Sequence, residues 1–169
     1  AAGKIRDAGV LDDVPDIDTH LQSMLATVPG ERIHKLAHIL LSQDAHFLGA
    51  NPKSLLLWKQ LGLRICQLTY NESNLLGDGC LERHDGGLSQ LGRVMVREME
   101  RYGVTIDLTH AGRRTFLDTC AAATRPLIAS HSNPRAVVDN PRNIDDDQIR
   151  AVAALGGVAC VTTWAPLIW

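Results

Sequence analysis

The 169-residue sequence lacks an excess of either charge, a long apolar run and any close pairing of cysteines. Its 17 Lys and Arg against 19 Asp and Glu leave a formal net charge of -2. That balance gives no electrostatic case for nucleic acid or an anionic membrane surface as a partner. No apolar stretch approaches the roughly 20 residues of a membrane helix, so no transmembrane segment is expected. The start, AAGKIRDAGV, has no initiator Met and no basic segment followed by an apolar one. It reads as a truncated start rather than a signal peptide. Cys66, Cys80, Cys120 and Cys160 are widely spaced and form no C-x-x-C. A disulfide framework is therefore not expected, and a reducing, cytoplasmic setting is favoured. Cys66 and Cys160 lie inside apolar runs and read as small core residues.

What is present is regular. Hydrophobic content of 45% and charged content of 21% describe a soluble globular chain. Its length suits one domain with a real core. Residues 1–35 are hard to read: DDVPDIDTH is acidic and Pro-broken, with a helix expected over about 19–27. From there apolar runs alternate with helical patterns. Strands are expected at KLAHILLS, LRICQLT, VTIDLTH, PLIASH and GVACVTT. Helices are expected at NPKSLLLWKQLG, LSQLGRVMVREMERYG, GRRTFLDTCAAAT and DDDQIRAVAALGG. In the first helix Asn51 reads as N-cap, Pro52 as first helical residue and Gly62 as stop. In the second, Leu91, Val94, Met95 and Met99 are expected on one apolar side, with Gly103 ending it. The last opens with acids and ends at Gly156, as the helix dipole favours.

Strands this apolar are expected to be buried on both faces of a parallel sheet flanked by helices. The fold class is therefore α/β, either an open doubly wound sheet or part of a (β/α)8 barrel. A closed barrel needs about 200 residues or more, so this chain is too short to complete one. Residues 1–169 are read as a single, partial domain.

Chemistry in such folds gathers at the C-terminal ends of the strands. His110 closes VTIDLT and His131 closes PLIAS, and consecutive strands are usually neighbours. Two imidazoles on one rim are a workable half of a zinc site. The other histidines are weaker candidates. His34 and His38 are four apart but lack the Glu of a zinc-protease helix. His46 and His84 fall in loops, and His20 is followed by Gln22 where an H-x-D pair needs Asp. The loop TYNESNLLGDGCLERHDGG is too long and polar for an idle connection and is placed to line a pocket. Arg142 precedes an acidic helical turn; it either pairs with that turn or reaches a substrate carboxylate.

The stretches LGLRICQLTYNESNLLGDGCLERHDGGLSQLGRVMVREMERYGVTIDLTHAG and PLIASHSNPRAVVDNPRNIDDDQI resemble the membrane (renal) dipeptidase family of zinc peptidases and its bacterial relatives. The resemblance runs from about Leu40 to the C-terminus and does not cover residues 1–35. It implies a (β/α)8 TIM-type barrel, here about five βα units of its middle, that hydrolyses dipeptides with two zinc ions. It implies His110 and His131 as metal ligands, and Arg142 as receiver of the dipeptide's terminal carboxylate. Tyr70 and Asn71 would line the substrate pocket. Gln43 stands where many members carry a metal-bridging Glu. The H-x-D pair of the first strand has no clear match, and the family's late catalytic Asp would fall beyond Trp169. This segment alone is therefore expected to hold one zinc ion or none, with no catalytic residue assigned. The alternatives are a non-catalytic ligand-binding relative, or an amidase- or lactonase-like hydrolase on the same rim. Exposed apolar sheet edges would favour self-association, a homodimer included.

Overall fold

The computed structural model describes residues 39–169. The helix expected over 19–27, along with His20, His34 and His38, lies outside the described residues. Within them, five strands alternate with four helices. The strands are β1 (Leu40–Ser42), β2 (Leu63–Gln67), β3 (Thr105–Asp107), β4 (Ile128–Ala129) and β5 (Val158–Ala159). The helices are α1 (Ser54–Gln60), α2 (Gln90–Tyr102), α3 (Arg113–Ala122) and α4 (Asp146–Ala154). The sheet order is β1-β2-β3-β4-β5 and every pairing is parallel. Consecutive parallel strands, each followed by a helix, are the staves of a (β/α)8-type barrel. Five such strands and the four helices that join them are present among the described residues.

The core lies between the sheet and its helices. Helix α2 buries Gly92, Met95, Val96 and Met99, an i, i+3, i+4, i+7 stripe. Val94, expected inside, is exposed, and Val96 takes its place because the stripe starts one residue later than the apolar letters suggest. Ser89 caps this helix by accepting from Gly92 N at 2.9 Å. Gly103 ends it at φ 65°, a left-handed conformation that glycine adopts at little cost. Phe116 of α3 is fully buried.

The structure corrects several expectations. Helix α1 begins at Ser54, not Pro52. Asn51 instead folds a tight turn, its Oδ1 accepting from Lys53 N at 3.1 Å. Burial on both faces holds for the inner strands but not for the outer ones: Leu40 and Val158 are more than half exposed. Cys160 follows β5 and is exposed for the same reason, whereas Cys66 on β2 is buried. All four cysteines are free thiols. The strands also end earlier than their apolar letters do. Beyond β3, Leu108 N still donates to Ile128 O at 2.8 Å. Thr109 N and Ser130 N then both turn to Asp107 Oδ1, each at 3.0 Å, which ends the ladder. His110 and His131 therefore stand on the first turns past β3 and β4, on the C-terminal rim.

Candidate active site

Asp107 sets the local geometry. Its carboxylate is fully buried and takes the two backbone amides that would have extended β3 and β4. The chain then turns sharply, and His110 adopts φ 72°. Positive φ is uncommon for a residue with a Cβ, although histidine is among the types that tolerate it. Such conformations concentrate at functional sites. Here the turn swings the His110 ring across the rim toward the next strand.

The result is a pair of imidazoles with Nε2 atoms 3.2 Å apart. Their ring centroids are 5.2 Å apart and their planes are inclined by 68°. Each outer nitrogen is held from behind. His110 Nδ1 lies 2.7 Å from Asn71 Oδ1, and His131 Nδ1 lies 2.7 Å from Ser130 Oγ. The Tyr70 ring stacks on His110 at 4.0 Å between centroids. Burial, with the Arg142 charge and His131 adding, pushes the His110 pKa down to about 3. Burial also lowers that of His131, against the pull of Asp107. Both rings are therefore neutral at neutral pH, the form that binds metals. Zinc–nitrogen bonds of about 2.0–2.1 Å in a tetrahedral site place two ligand nitrogens about 3.3–3.4 Å apart. The observed separation and donor chemistry fit one divalent ion held by the pair. Among the described residues no group of three or more His, Cys, Asp or Glu could hold a metal.

Arg142 is the second unusual group. It is 8% exposed, and its Nη1 has no hydrogen-bond partner. It does not pair with the acidic turn that follows it. Arg113 Nε reaches Asp145 Oδ2 at 3.1 Å, and Arg113 Nη2 also pairs with Asp147. Arg135 adds a contact to Asp145 at 3.5 Å. Burial lowers the Arg142 pKa. A buried guanidinium with a free N–H is costly unless an anion completes it.

The long loop between β2 and α2 brings these groups together. Cys80 N donates to His110 O at 2.8 Å and Gly112 N donates to Asp78 O at 2.9 Å, so the loop is laced to the turn after β3. Gly79 is required at this crossing, since a Cβ there would sit 2.3 Å from Asn71 C and Tyr70 O. Asn74 Nδ2 reaches back to Leu68 O and Asp44 Oδ1, both at 2.7 Å. The Cys80 thiol lies between Asn71 Oδ1, at 3.7 Å, and the Arg142 guanidinium.

Gln43, Tyr70, Asn71, His110, His131 and Arg142 all line one cavity of about 450 Å³. Gln43 is solvent-exposed and Tyr70 is 41% exposed. Trp164 and Leu167 form part of the apolar wall. His46 and His84 are exposed on the surface, away from this cavity. Sequence reasoning missed Asp107, Ser130 and Cys80. For Asp107 a signal existed: a lone carboxylate inside an apolar strand is costly to bury without several donors.

Residues 16–168 match the family described as Membrane dipeptidase (Peptidase family M19). Dipeptidase 3 of Rattus norvegicus is 34% identical over 134 residues, covering 76% of this chain and 28% of that protein. Dipeptidase verJ of Clonostachys rogersoniana is 32% identical over 133 residues, covering 78% of this chain and 34% of that protein. The chain thus spans about a third of the length of such curated relatives. An amidohydrolase from Pseudomonas aeruginosa superposes with a TM-score of 0.74 at 39% identity, covering 76% of this chain and 39% of that one. A Rhodobacter sphaeroides metallopeptidase, solved with a phosphinate mimic of L-Ala-D-Ala, superposes with a TM-score of 0.68 at 29% identity. It covers 73% of this chain and 37% of that one.

Proposed function

The chain belongs to the membrane dipeptidase family of metallopeptidases (peptidase family M19), and on that premise we propose that its rim cavity is part of a zinc-dependent dipeptidase active site. One observation carries the reading: the converging imidazoles and the buried Arg142 line the same cavity. The dipeptide mimic bound by the R. sphaeroides relative supports the substrate class.

In this reading Arg142, which lines the cavity, binds the substrate's terminal carboxylate with a charge-assisted hydrogen bond. Anchoring that carboxylate would set the C-terminal peptide bond at a fixed distance from Arg142, beside the imidazole pair. His110 and His131 hold the metal, and the exposed Gln43 carboxamide at the cavity wall offers a weaker, neutral oxygen. Bound zinc would polarise the scissile carbonyl and lower the pKa of the attacking water. Tyr70, stacked on His110, and Asn71 line the cavity where the peptide bond would lie. The neutral Gln43 is also what favours a second reading, a binding protein that keeps His110, His131 and Arg142 without turnover. The proposal of a cytoplasmic setting rests on the wide spacing of Cys66, Cys80, Cys120 and Cys160 in the sequence.

The test is hydrolysis of one dipeptide, as free acid and as C-terminal amide, by the intact protein supplied with zinc. The expected kcat/KM for the amide is about 100-fold lower, the loss of a charge-assisted contact to a buried guanidinium. Arg142→Ala is expected to erase most of that difference. Equal turnover of acid and amide would overturn the assignment of Arg142, and no turnover of either would leave the binding-protein reading. Residues 1–169 alone are expected to turn over little, because a catalytic zinc keeps about three protein ligands.

A further inference from the structure

Behind His131 lies a chain of hydrogen bonds that, we propose, is a positioning relay: Asp107, through Ser130, fixes which ring nitrogen of His131 carries its hydrogen. Four donors point at the two oxygens of Asp107. Thr109 N and Ser130 N reach Oδ1 at 3.0 Å each, Gln67 Nε2 reaches Oδ2 at 3.0 Å, and Ser130 Oγ reaches Oδ2 as well. A carboxylate so surrounded only accepts. The single hydroxyl hydrogen of Ser130 is therefore spent on Asp107. Ser130 Oγ can offer His131 Nδ1, 2.7 Å away, nothing but a lone pair. His131 Nδ1 must then carry the ring hydrogen, and the Nε2 lone pair faces the cavity.

Asn71 does the same for His110 by a different group, since its carbonyl oxygen also accepts from Nδ1. Two lone pairs consequently meet across 3.2 Å with no hydrogen of their own between them. A cation reconciles them. Outer groups that fix a ligand's tautomer in this way typically govern metal affinity by about 10–100-fold. Asp107 and Ser130 touch no substrate; they act through His131. The use of the relay, though not its geometry, rests on the metallopeptidase reading above.

The direction of the chain is what an experiment can read. In Asp107→Asn the amide oxygen keeps the two backbone donors, and the new Nδ2–H faces Ser130 Oγ. The Ser130 hydrogen is then free to turn toward His131 Nδ1, which moves the ring hydrogen to Nε2. Gln67 can follow, because its Oε1 is buried and unpartnered and would accept the second amide hydrogen after a flip. Because Asp107→Asn alters the core and can fail to fold, Ser130→Ala provides a second variant that cuts the relay alone.

The measurement is long-range ¹H–¹⁵N correlation of the imidazole nitrogens in the intact, chelator-stripped protein, with zinc affinity from competition against a chromophoric chelator. The wild-type protein is expected to show His131 with hydrogen on Nδ1. Asp107→Asn is expected to show it on Nε2, and Ser130→Ala a mixture, each with zinc affinity about 10–100-fold weaker. Hydrogen on Nε2 in the wild type would overturn the proposal. So would a folded Ser130→Ala that keeps both the wild-type tautomer and the wild-type zinc affinity. A wild-type protein that shows the locked tautomer, loses it in Ser130→Ala and binds no zinc would uphold the relay and sink the metal reading instead.

Discussion

The layer around α2 and the C-terminal rim are equally buried and oppositely made. Met95, Val96, Met99 and Phe116 are fully buried, and so are Gln67, Thr69, Asp107 and Thr109. The first set gains from removing apolar surface from water, a contribution without direction. The second is held by hydrogen bonds that work only at fixed angles, and it leaves groups over: Gln67 Oε1, Thr69 Oγ1, Ser132 Oγ and Arg142 Nη1 have no partner. The helix layer supplies stability that the rim spends on placing atoms. A substitution in the first should unfold the protein before it misaligns the site, and one in the second should do the reverse.

Phe116→Ala tests the first half most severely. Emptying a fully buried phenylalanine site should cost about 3–5 kcal/mol in denaturant unfolding of the intact protein. A loss below about 1 kcal/mol would mean that the helix layer is not what holds the fold. Gly79→Ala tests the rim. The added methyl would force the Tyr70–Asn71 backbone aside, and displacements near 1 Å cost about 10²-fold in rate. On the proposed dipeptidase reading, dipeptide kcat/KM of the intact protein should fall by that order while unfolding stability falls less than in Phe116→Ala. An unchanged rate would show that the loop does not position the site.

The next effect is on pH. His110, whose pKa burial pushes down to about 3, binds a proton in the unfolded chain before it does in the fold. Stability of the metal-free protein should therefore fall as pH drops from about 6.5, the unfolded value, toward about 3. His110→Gln should flatten thermal-unfolding midpoints across that window, and an unchanged slope would place the acid sensitivity elsewhere. The smallest effect is expected at the surface. The Arg150–Asp146 pair on α4 spans 3.4 Å between exposed side chains, and Arg150→Ala should change stability by about 0.5 kcal/mol or less.

The same contrast explains what the sequence disclosed. Apolar periodicity names the strands and helices in order, because burial in layers is a pattern of letters. His110 and His131 stand out because each follows an apolar run. The strand ends did not, because Asp107 takes amides from the turns after two different strands, and a bond between residues 23 apart leaves no local signature. The α2 face shifted by a residue because a glycine, Gly92, belongs to the buried stripe and carries no hydrophobic letter. Ser130 and Cys80 are small, common residues whose importance lies in what stands beside them.

The left-handed backbone at His110 narrows what drift can do there. A position at φ 72° rejects the β-branched residues that would naturally prolong the run VTIDLT, whatever happens to the chemistry. Asn, Asp and Gly are the replacements the backbone accepts. In descendants released from selection on the proposed site, position 110 should therefore decay toward those three rather than toward Val, Ile or Thr. Position 131, on a turn without positive φ, carries no such filter and should vary more freely. A lineage that keeps Asn or Asp at 110 beside an unrestricted 131 would record the shape of the turn after the imidazole pair had lost its use.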